Sequence, residues 1–168
     1  DLQVFEHGIL KFKTKENPAK AQKGWAEIPP RINRPHLEKD EVADLIEAFD
    51  SYTGYLTTKL AAKMLLLTFV RKTEITEAEW KEVDMKNATW TIPAIRMKMK
   101  DAHIVPLSTQ ALETLEILRK NSEGSEYVFP KSSTLLKPIS RTALNNMFSK
   151  MGGGNYKGKF SPHGIRST

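Results

Sequence analysis

An apolar segment in the first half of the chain most constrains what this sequence can fold into. Residues 55–70 carry apolar side chains on most sides of a helix, which predicts a helix that is largely buried. The 168-residue length is sufficient for one sizeable domain around it. The longest apolar run, MLLLTFV at 64–70, is far short of the roughly 20 residues needed to cross a bilayer. We therefore expect a domain with a substantial core and no membrane partner.

Helical periodicity extends to both sides of this segment. Before it, apolar residues recur at the three-to-four spacing of an amphipathic helix that stops before Gly54: Val42, Leu45, Ile46 and Phe49. After it, a short turn at 71–73 leads to a further helical piece around 74–79. These patterns predict a mainly helical domain.

The periodicity then changes to that of β-strands. ATWTIPA at 88–94 and AHIVPL at 102–107 are strand-like runs around the basic stretch RMKMKD at 96–101. They predict a β-hairpin region near 88–107. The fold class is therefore α+β, mainly helical, with a small antiparallel sheet.

Residues 108–152 carry the patterns of two further helices, each preceded by a possible capping serine. Ser108 is placed to cap a helix whose apolar face carries Leu112, Leu115 and Leu118. YVFP at 127–130 predicts a short buried strand or extended segment. Ser140 is placed to cap a further helix that stops at Gly152, with an apolar stripe of four residues: Leu144, Met147, Phe148 and Met151.

Charge and composition separate the first 35 residues from the rest. Residues 1–35 are Lys-rich and end in a proline-punctuated stretch, which is typical of a linker. The chain has a net charge of +6, which favours a polyanionic partner such as nucleic acid. The basic residues of 11–34, 96–100 and 157–159 are candidates for contact with its backbone. The chain contains no cysteine, which excludes disulfides and thiolate metal sites and fits a reducing compartment.

Three sets of residues are candidates for chemistry, and each has a plainer structural interpretation. Arg71 follows the buried helix and is able either to hold an anion or simply to cap the helix and pair with Glu74. Lys98 and Lys100 belong to the hairpin, as proton donors or as solvated turn lysines. The third set is His163 and Arg166, which lie three residues apart behind Pro162, a residue that suits the first turn of a helix. They either converge on an anion or form an ordinary helix start.

Several other kinds of chemistry find no support in the sequence. The four histidines (His7, His36, His103 and His163) lack the spacing of metal ligands, and no carboxylate cluster joins them. No nucleophile-elbow motif of a hydrolase is present, and the Gly run at 152–154 lacks the Lys-Ser/Thr of a phosphate-binding loop. We therefore expect no metal, no cofactor and no small-molecule substrate.

The order of the three sites resembles the catalytic domain of tyrosine recombinases, in particular phage and prophage integrases of the P4-like group. The resemblance covers essentially the whole chain. It is carried by four stretches: LLLTFVRKTEI at 65–75, WTIPAIRMKMKDAHIVPLS at 90–108, YVFP at 127–130 and SPHGIRST at 161–168. NPAKAQKG at 17–24 is similar to the end of the family's core-binding domain. The implied domains are thus 1–35, the end of a core-binding domain with a basic linker, and 36–168, the catalytic domain.

The resemblance implies a role for the residues that match the family's motifs. Arg71 takes the place of the first catalytic arginine, with Glu74 as its acidic support, and His163 and Arg166 match the HxxR motif. The two arginines are expected to hold the DNA phosphate that is attacked. Phe69 is a departure, because many relatives have Gly there, and it bears on packing more than on chemistry.

The family's hairpin lysine, which protonates the departing 5′ oxygen, is matched by Lys98, eight residues before Pro106. Lys100 is an alternative, because the length of the hairpin varies. The family's nucleophilic tyrosine comes after the HxxR motif, whereas the tyrosines of this sequence all precede His163: Tyr52, Tyr55, Tyr127 and Tyr156. We therefore expect a catalytic domain that is incomplete at its C-terminus and inactive in cleavage by itself.

The resemblance implies a DNA strand-transferase that carries out site-specific recombination, the integration and excision of phage or mobile DNA, through a 3′-phosphotyrosyl intermediate. The implied partners are double-stranded DNA attachment sites and three further copies in a homotetramer. The implied location is the cytoplasm of a bacterial or phage-infected cell. The alternative is a non-catalytic DNA-binding or assembly module from a degenerate prophage integrase.

Overall fold

The computed structural model describes His7 and residues 9–11, 41–97 and 101–157. The chain divides into two units, Asp1–Asn33 and Arg34–Thr168. In the first, the Lys11 backbone N–H donates to the His7 carbonyl at 3.0 Å, which closes one helical turn. All the elements below belong to the second unit. None of the helices in the described ranges has the length and apolarity to span a membrane.

Helices dominate the described part of the second unit. They are α1 (Glu41–Asp50), α2 (Leu56–Thr68), α3 (Lys72–Thr76), α4 (Thr109–Asn121) and α5 (Ala143–Lys150). The strands are β1 (Val83–Asp84), β2 (Thr89–Ile92), β3 (His103–Pro106), β4 (Pro130–Lys131) and β5 (Thr134–Pro138). Short 3₁₀ turns lie at Trp80–Glu82, Ala94–Arg96 and Met151–Gly154. This is the mainly helical α+β architecture that the sequence predicted.

The predicted hairpin is the β2–β3 pair of a three-stranded antiparallel sheet with the order β1-β2-β3. Trp90 pairs with Val105, and both are buried, whereas Ile104 pairs with Thr91 on the exposed face. This alternation is what a half-buried sheet requires. A second hairpin, β4–β5, was not predicted.

Helix α2 lies at the centre of the core, as its apolar pattern predicted. Ala61 and Leu65 are fully buried, and the helix packs against both α4 and α5. The predicted stripe of α5 is buried along its whole length: Leu144, Met147, Phe148 and Met151. The helix itself ends at Lys150 and not at Gly152, and Met151 begins the 3₁₀ turn that follows. Leu115 and Leu118 of α4 are buried as well, so the long helices share one core.

Two helix starts test the capping predictions. The Ser108 Oγ accepts the Ala111 N–H at 3.2 Å, so the predicted N-cap of α4 is confirmed. The prediction for Ser140 was wrong, because α5 begins at Ala143 with Thr142 as its N-cap residue. The Ser140 hydroxyl instead accepts the Thr142 N–H at 3.2 Å and closes a tight turn before the helix.

Other boundaries and one buried position also differ from the predictions. Helix α2 ends at Thr68, not at Val70, because Phe69 adopts left-handed backbone angles (φ 52°, ψ 21°) and its N–H closes the helix on the Leu65 carbonyl. Helix α3 begins at Lys72, within the predicted turn. Ile46 is 56% exposed, since α1 turns its neighbouring face to the core.

Candidate active site

Arg71 lies at a fixed junction between two helices. Phe69 ends α2, Val70 is 1% exposed, and Arg71 is the N-cap residue of α3 with extended backbone angles (φ −75°, ψ 148°). The buried residue before it and the helix after it hold its Cα in place. The Arg71 side chain is nevertheless 43% exposed, so its guanidinium reaches solvent from a rigid base.

Glu74 holds Arg71 at two points. Its carboxylate is 3% exposed, and Oε2 accepts the Arg71 backbone N–H at 2.7 Å while Oε1 accepts NH1 at 2.8 Å. The first bond satisfies an N–H at the start of α3 that has no partner within the helix. The second fixes the orientation of the guanidinium by a charge-assisted bond. The acidic support that the sequence predicted for Arg71 is therefore present as a contact.

Among the described residues, the Arg71 guanidinium keeps most of its donors available. An arginine has five N–H donors in a planar fork, and within the described ranges Glu74 is the partner that Arg71 binds. As far as those residues are concerned, the donors of Nε and NH2 remain available to a ligand. A planar fork matches two oxygens of one phosphate group.

Two contacts that are distant in sequence reach α3 at its ends. Near its start, the Lys72 Nζ donates to the Asn145 Oδ1 on α5 at 3.2 Å. At its end, the Glu77 Oε1 accepts the Arg141 Nε at 3.0 Å. The partners are 73 and 64 residues apart, so no local pattern predicts these pairs. Both pairs lie at the surface, where such contacts typically contribute at most about 1 kcal/mol, and it is the buried residues of α3 that hold the helix, and with it Arg71, against the core.

The other residues assigned a role lie outside the described residues: Lys98, Lys100, His163 and Arg166. The structure thus brings Arg71 and Glu74 together and does not test the rest of the site, whose roles stay predictions. Within the described ranges, no group of three His, Asp or Glu side chains is placed to hold a metal ion.

Tyr156 is the most buried of the four tyrosines, at 9% exposure. Burial raises the pKa of its phenol, and the nearby carboxylates of Asp44, Glu41 and Glu47 raise it further. A raised pKa disfavours the phenolate, so this environment is the opposite of one that activates a nucleophile. Tyr55, by contrast, is 71% exposed. The buried environment of Tyr156 is therefore a poor one for a nucleophile, and the absence of the nucleophile from the sequence stays a prediction.

Comparison with known sequences places the chain in a family. The model of the phage integrase family matches residues 35–168. The integrase of Enterobacteria phage P4 is 33% identical over 176 residues, which cover 98% of this chain and 40% of that protein. The integrase of Shigella phage Sf6 is 32% identical over 169 residues, covering 98% and 42%, respectively. The prophage integrase IntA of Escherichia coli (strain K12) is 34% identical over 141 residues, covering 84% and 33%.

Solved structures show the same fold at low sequence identity. The Tn1549 transposon integrase in complex with a circular intermediate DNA superposes with a TM-score of 0.78 at 15% identity, over 99% of this chain and 62% of that one. A lambda integrase dimer bound to a COC′ core site gives a TM-score of 0.70 at 20% identity, over 99% and 47%. The fold is that of a tyrosine-recombinase catalytic domain.

The chain therefore belongs to the phage integrase family, and the resemblance to P4-like tyrosine recombinases is confirmed. It spans between a third and about two fifths of the length of the three relatives named above.

Proposed function

We propose that this chain forms part of a DNA strand-transferase that integrates and excises phage or mobile DNA by site-specific recombination. The observation that carries the proposal is the Arg71–Glu74 pair. A buried carboxylate holds Arg71 by two bonds, one to its backbone N–H and one to its guanidinium, and the arginine side chain is 43% exposed. Because the side chain is already oriented, binding a phosphate costs this arginine less conformational entropy.

The proposed reaction transfers a DNA phosphodiester to a tyrosine. The tyrosine oxygen attacks phosphorus and passes its proton to His163, the bond from phosphorus to the 5′ oxygen breaks, and that oxygen receives a proton from the hairpin lysine. Extra negative charge develops on the non-bridging oxygens, where Arg71 and Arg166 bind, with His163 assisting by hydrogen bonding and proton transfer. Losing one such donor typically costs about 3–4 kcal/mol of transition-state stabilisation.

The proton for the 5′ oxygen comes from Lys98 or from Lys100. General acid help of this kind typically contributes a factor of about 10²–10⁴ in rate. The phosphotyrosyl bond conserves the energy of the original phosphodiester, so the reaction needs no ATP. The arginines supply the positive charge, so it needs no metal.

The proposed partner is double-stranded DNA at attachment sites. The net charge of +6 and the basic segments favour it. Similar folds have been solved with DNA, among them a lambda integrase tetramer bound to a Holliday junction. We extend the same arrangement to this protein, as a homotetramer on two DNA sites in the cytoplasm of the host cell.

A second candidate function is a non-catalytic DNA-binding or assembly module. The observation that favours it is the environment of Tyr156, which is buried and whose raised pKa disfavours the phenolate that a nucleophile requires. Such a module would occupy attachment sites without cleaving them.

The experiment that separates the two uses the full-length protein from the gene that encodes this chain. It is incubated with nicked DNA that carries the attachment site, beside the 168-residue chain, and a denaturing gel is examined for a covalent adduct. The proposed function predicts an adduct from the full-length protein and none from residues 1–168. Binding of the same DNA without any adduct would support the non-catalytic module.

A further inference from the structure

A second buried ion pair lies outside the Arg71 site. Arg96 and Glu82 pair through NH2 and Oε2, and their side chains are only 16% and 5% exposed. The same Oε2 also accepts the Trp90 Nε1–H at 3.1 Å and the Glu79 backbone N–H at 3.4 Å. The Arg96 NH1 donates to the Glu77 carbonyl oxygen at 2.5 Å. One guanidinium thus joins two separate segments of the chain.

Stability alone does not account for a pair of this kind. Removing charged groups from water is costly, and well-packed apolar side chains of similar size often stabilise a protein as much or more. The Arg96 Nε is buried, with no hydrogen-bond partner in the described part of the chain. What the bonds of Arg96 to Glu77 and Glu82 do supply is geometry, because they fix the planar guanidinium relative to both partners.

Through its bond to Glu77, Arg96 connects its own segment to α3, and each of these segments leads to a proposed catalytic group. Glu77 is the C-cap residue of α3, the five-residue helix whose N-cap residue is Arg71. On the other side, Arg96 ends the 3₁₀ turn Ala94–Arg96, two residues before Lys98 in the sequence. The side chain therefore fastens the start of the lysine segment to the helix that holds Arg71.

We infer that Arg96 is a positioning residue, which sets the place of the hairpin lysine relative to Arg71. The inference rests on the proposed function. Protonation of the 5′ oxygen requires the lysine to meet the same phosphate that Arg71 holds, and a displacement of about 1 Å typically costs about 100-fold in rate. Residues 98–100 lie outside the described residues, and the link from Arg96 to the lysine is the continuity of the chain through Met97.

The test compares two leaving groups in the full-length protein. Nicked attachment-site DNA is prepared with an ordinary 5′ oxygen, or with sulfur in its place at the scissile phosphate. A thiol has a pKa near 8.5, so it leaves without being protonated, whereas the oxygen needs a proton donor. A variant that misplaces the lysine is expected to be slow on the oxygen substrate and nearly normal on the sulfur substrate.

Two variants test the ion pair, one at Arg96 and one at Glu82. Arg96→Lys retains the charge and loses the fork, and Glu82→Gln retains the shape and loses the charge of the partner. For each we expect adduct formation on the oxygen substrate to slow about 10- to 100-fold, and on the sulfur substrate to slow less than about threefold. Lys98→Ala and Lys100→Ala, measured alongside, show which lysine gives the same pattern.

Arg141→Ala is the matched control. Arg141 also binds Glu77, but through an ion pair with a 69% exposed side chain and without any link to Arg96. We expect it to react at nearly the wild-type rate on both substrates. Thermal unfolding of each variant identifies any that fails to fold, and the two variants of the pair are independent probes because one keeps the charge and the other removes it.

The outcomes separate the inference from the function on which it rests. Equal slowing on both substrates by the folded variants, or no slowing at all, would overturn the positioning role of Arg96. Failure of both lysine variants to be rescued by sulfur would overturn it as well. Absence of any adduct from the wild-type protein would instead contradict the proposed function.

Discussion

The Glu74 carboxylate binds Arg71 twice, once at the backbone N–H at 2.7 Å and once at the guanidinium NH1 at 2.8 Å. One bond starts helix α3 and the other orients a side chain toward solvent. The same buried group therefore serves the fold and the proposed site. A change at Glu74 is expected to affect both.

Glu74→Gln tests this double role. A glutamine offers one acceptor oxygen, and its NH₂ group faces a donor, so one of the two bonds is lost in a site that is 3% exposed. We expect a loss of about 1–3 kcal/mol in the free energy of unfolding, measured by urea denaturation. Glu116→Gln is the control, because Glu116 is exposed on α4 and the same change there is expected to cost less than about 0.5 kcal/mol. Equal effects at both sites would show that the two bonds contribute little.

Phe69→Gly tests the left-handed end of α2. An L-residue other than glycine is destabilised by about 1–2 kcal/mol in this conformation. Glycine avoids that strain, but it also makes the unfolded chain more flexible, which offsets part of the gain in stability. The Phe69 side chain is 56% exposed, so its removal sacrifices little burial. We expect Phe69→Gly to be about 0.5–1 kcal/mol more stable than Phe69→Ala, which removes the ring and keeps the strain. A glycine variant no more stable than the alanine variant would contradict this.

Asp84→Asn tests the turn between β1 and β2. The Asp84 carboxylate accepts the backbone N–H groups of Asn87 at 2.9 Å and Lys86 at 3.0 Å, and the Asn87 side-chain amide at 2.7 Å. The bonds to Asn87, first the backbone and then the side chain, lower the pKa of Asp84 below its ordinary value of 3.8. A lowered folded-state pKa gives stability that is present above the unfolded pKa and is lost as the pH falls through the folded pKa.

The measurement for Asp84 is the free energy of unfolding of both proteins as a function of pH. The free energy of unfolding of the wild type is expected to exceed that of Asp84→Asn by a constant amount from about pH 5 to 7. This difference is expected to shrink below about pH 4. A difference that persists unchanged at the acid end would mean that the charge of Asp84 is not its source.

Salt dependence tests the proposed contact with DNA. Each phosphate neutralised by a lysine or arginine releases counterions, so the logarithm of the binding constant falls linearly with the logarithm of the salt concentration. Lys157→Gln, in one of the basic segments, is expected to reduce the slope by about 1. Lys120→Gln, on the exposed face of α4, is expected to leave it unchanged. Equal slopes for the two variants would exclude Lys157 from the interface.

The features that the sequence predicted well are those with a local cause. The Ser108 cap depends on a residue three positions away, and the Arg71–Glu74 pair on the same spacing. The β2–β3 hairpin follows from apolar runs on both sides of a basic stretch. In each case the partners are near in the sequence, or the periodicity itself reports the buried face.

The features that were missed depend on distant or weakly patterned residues. The β4–β5 hairpin has no buried face along β5, where Leu135 and Leu136 are 41% and 82% exposed, so no alternation marks it. The bond from Arg96 to Glu77 joins residues 19 apart, and nothing local predicts it. Ile46 was placed in the core by spacing alone, although only the tertiary packing decides which neighbouring face of α1 is buried.

The most direct test of the account is the covalent adduct formed by Arg71→Ala in the full-length protein. Wild type and variant are compared on nicked attachment-site DNA, with binding to the same DNA measured separately, and Arg141→Ala serves as a control arginine. We predict that Arg71→Ala lowers adduct formation by at least about 100-fold and leaves most of the DNA affinity intact. An unchanged covalent yield would contradict the role assigned to Arg71 and, with it, the proposed active site.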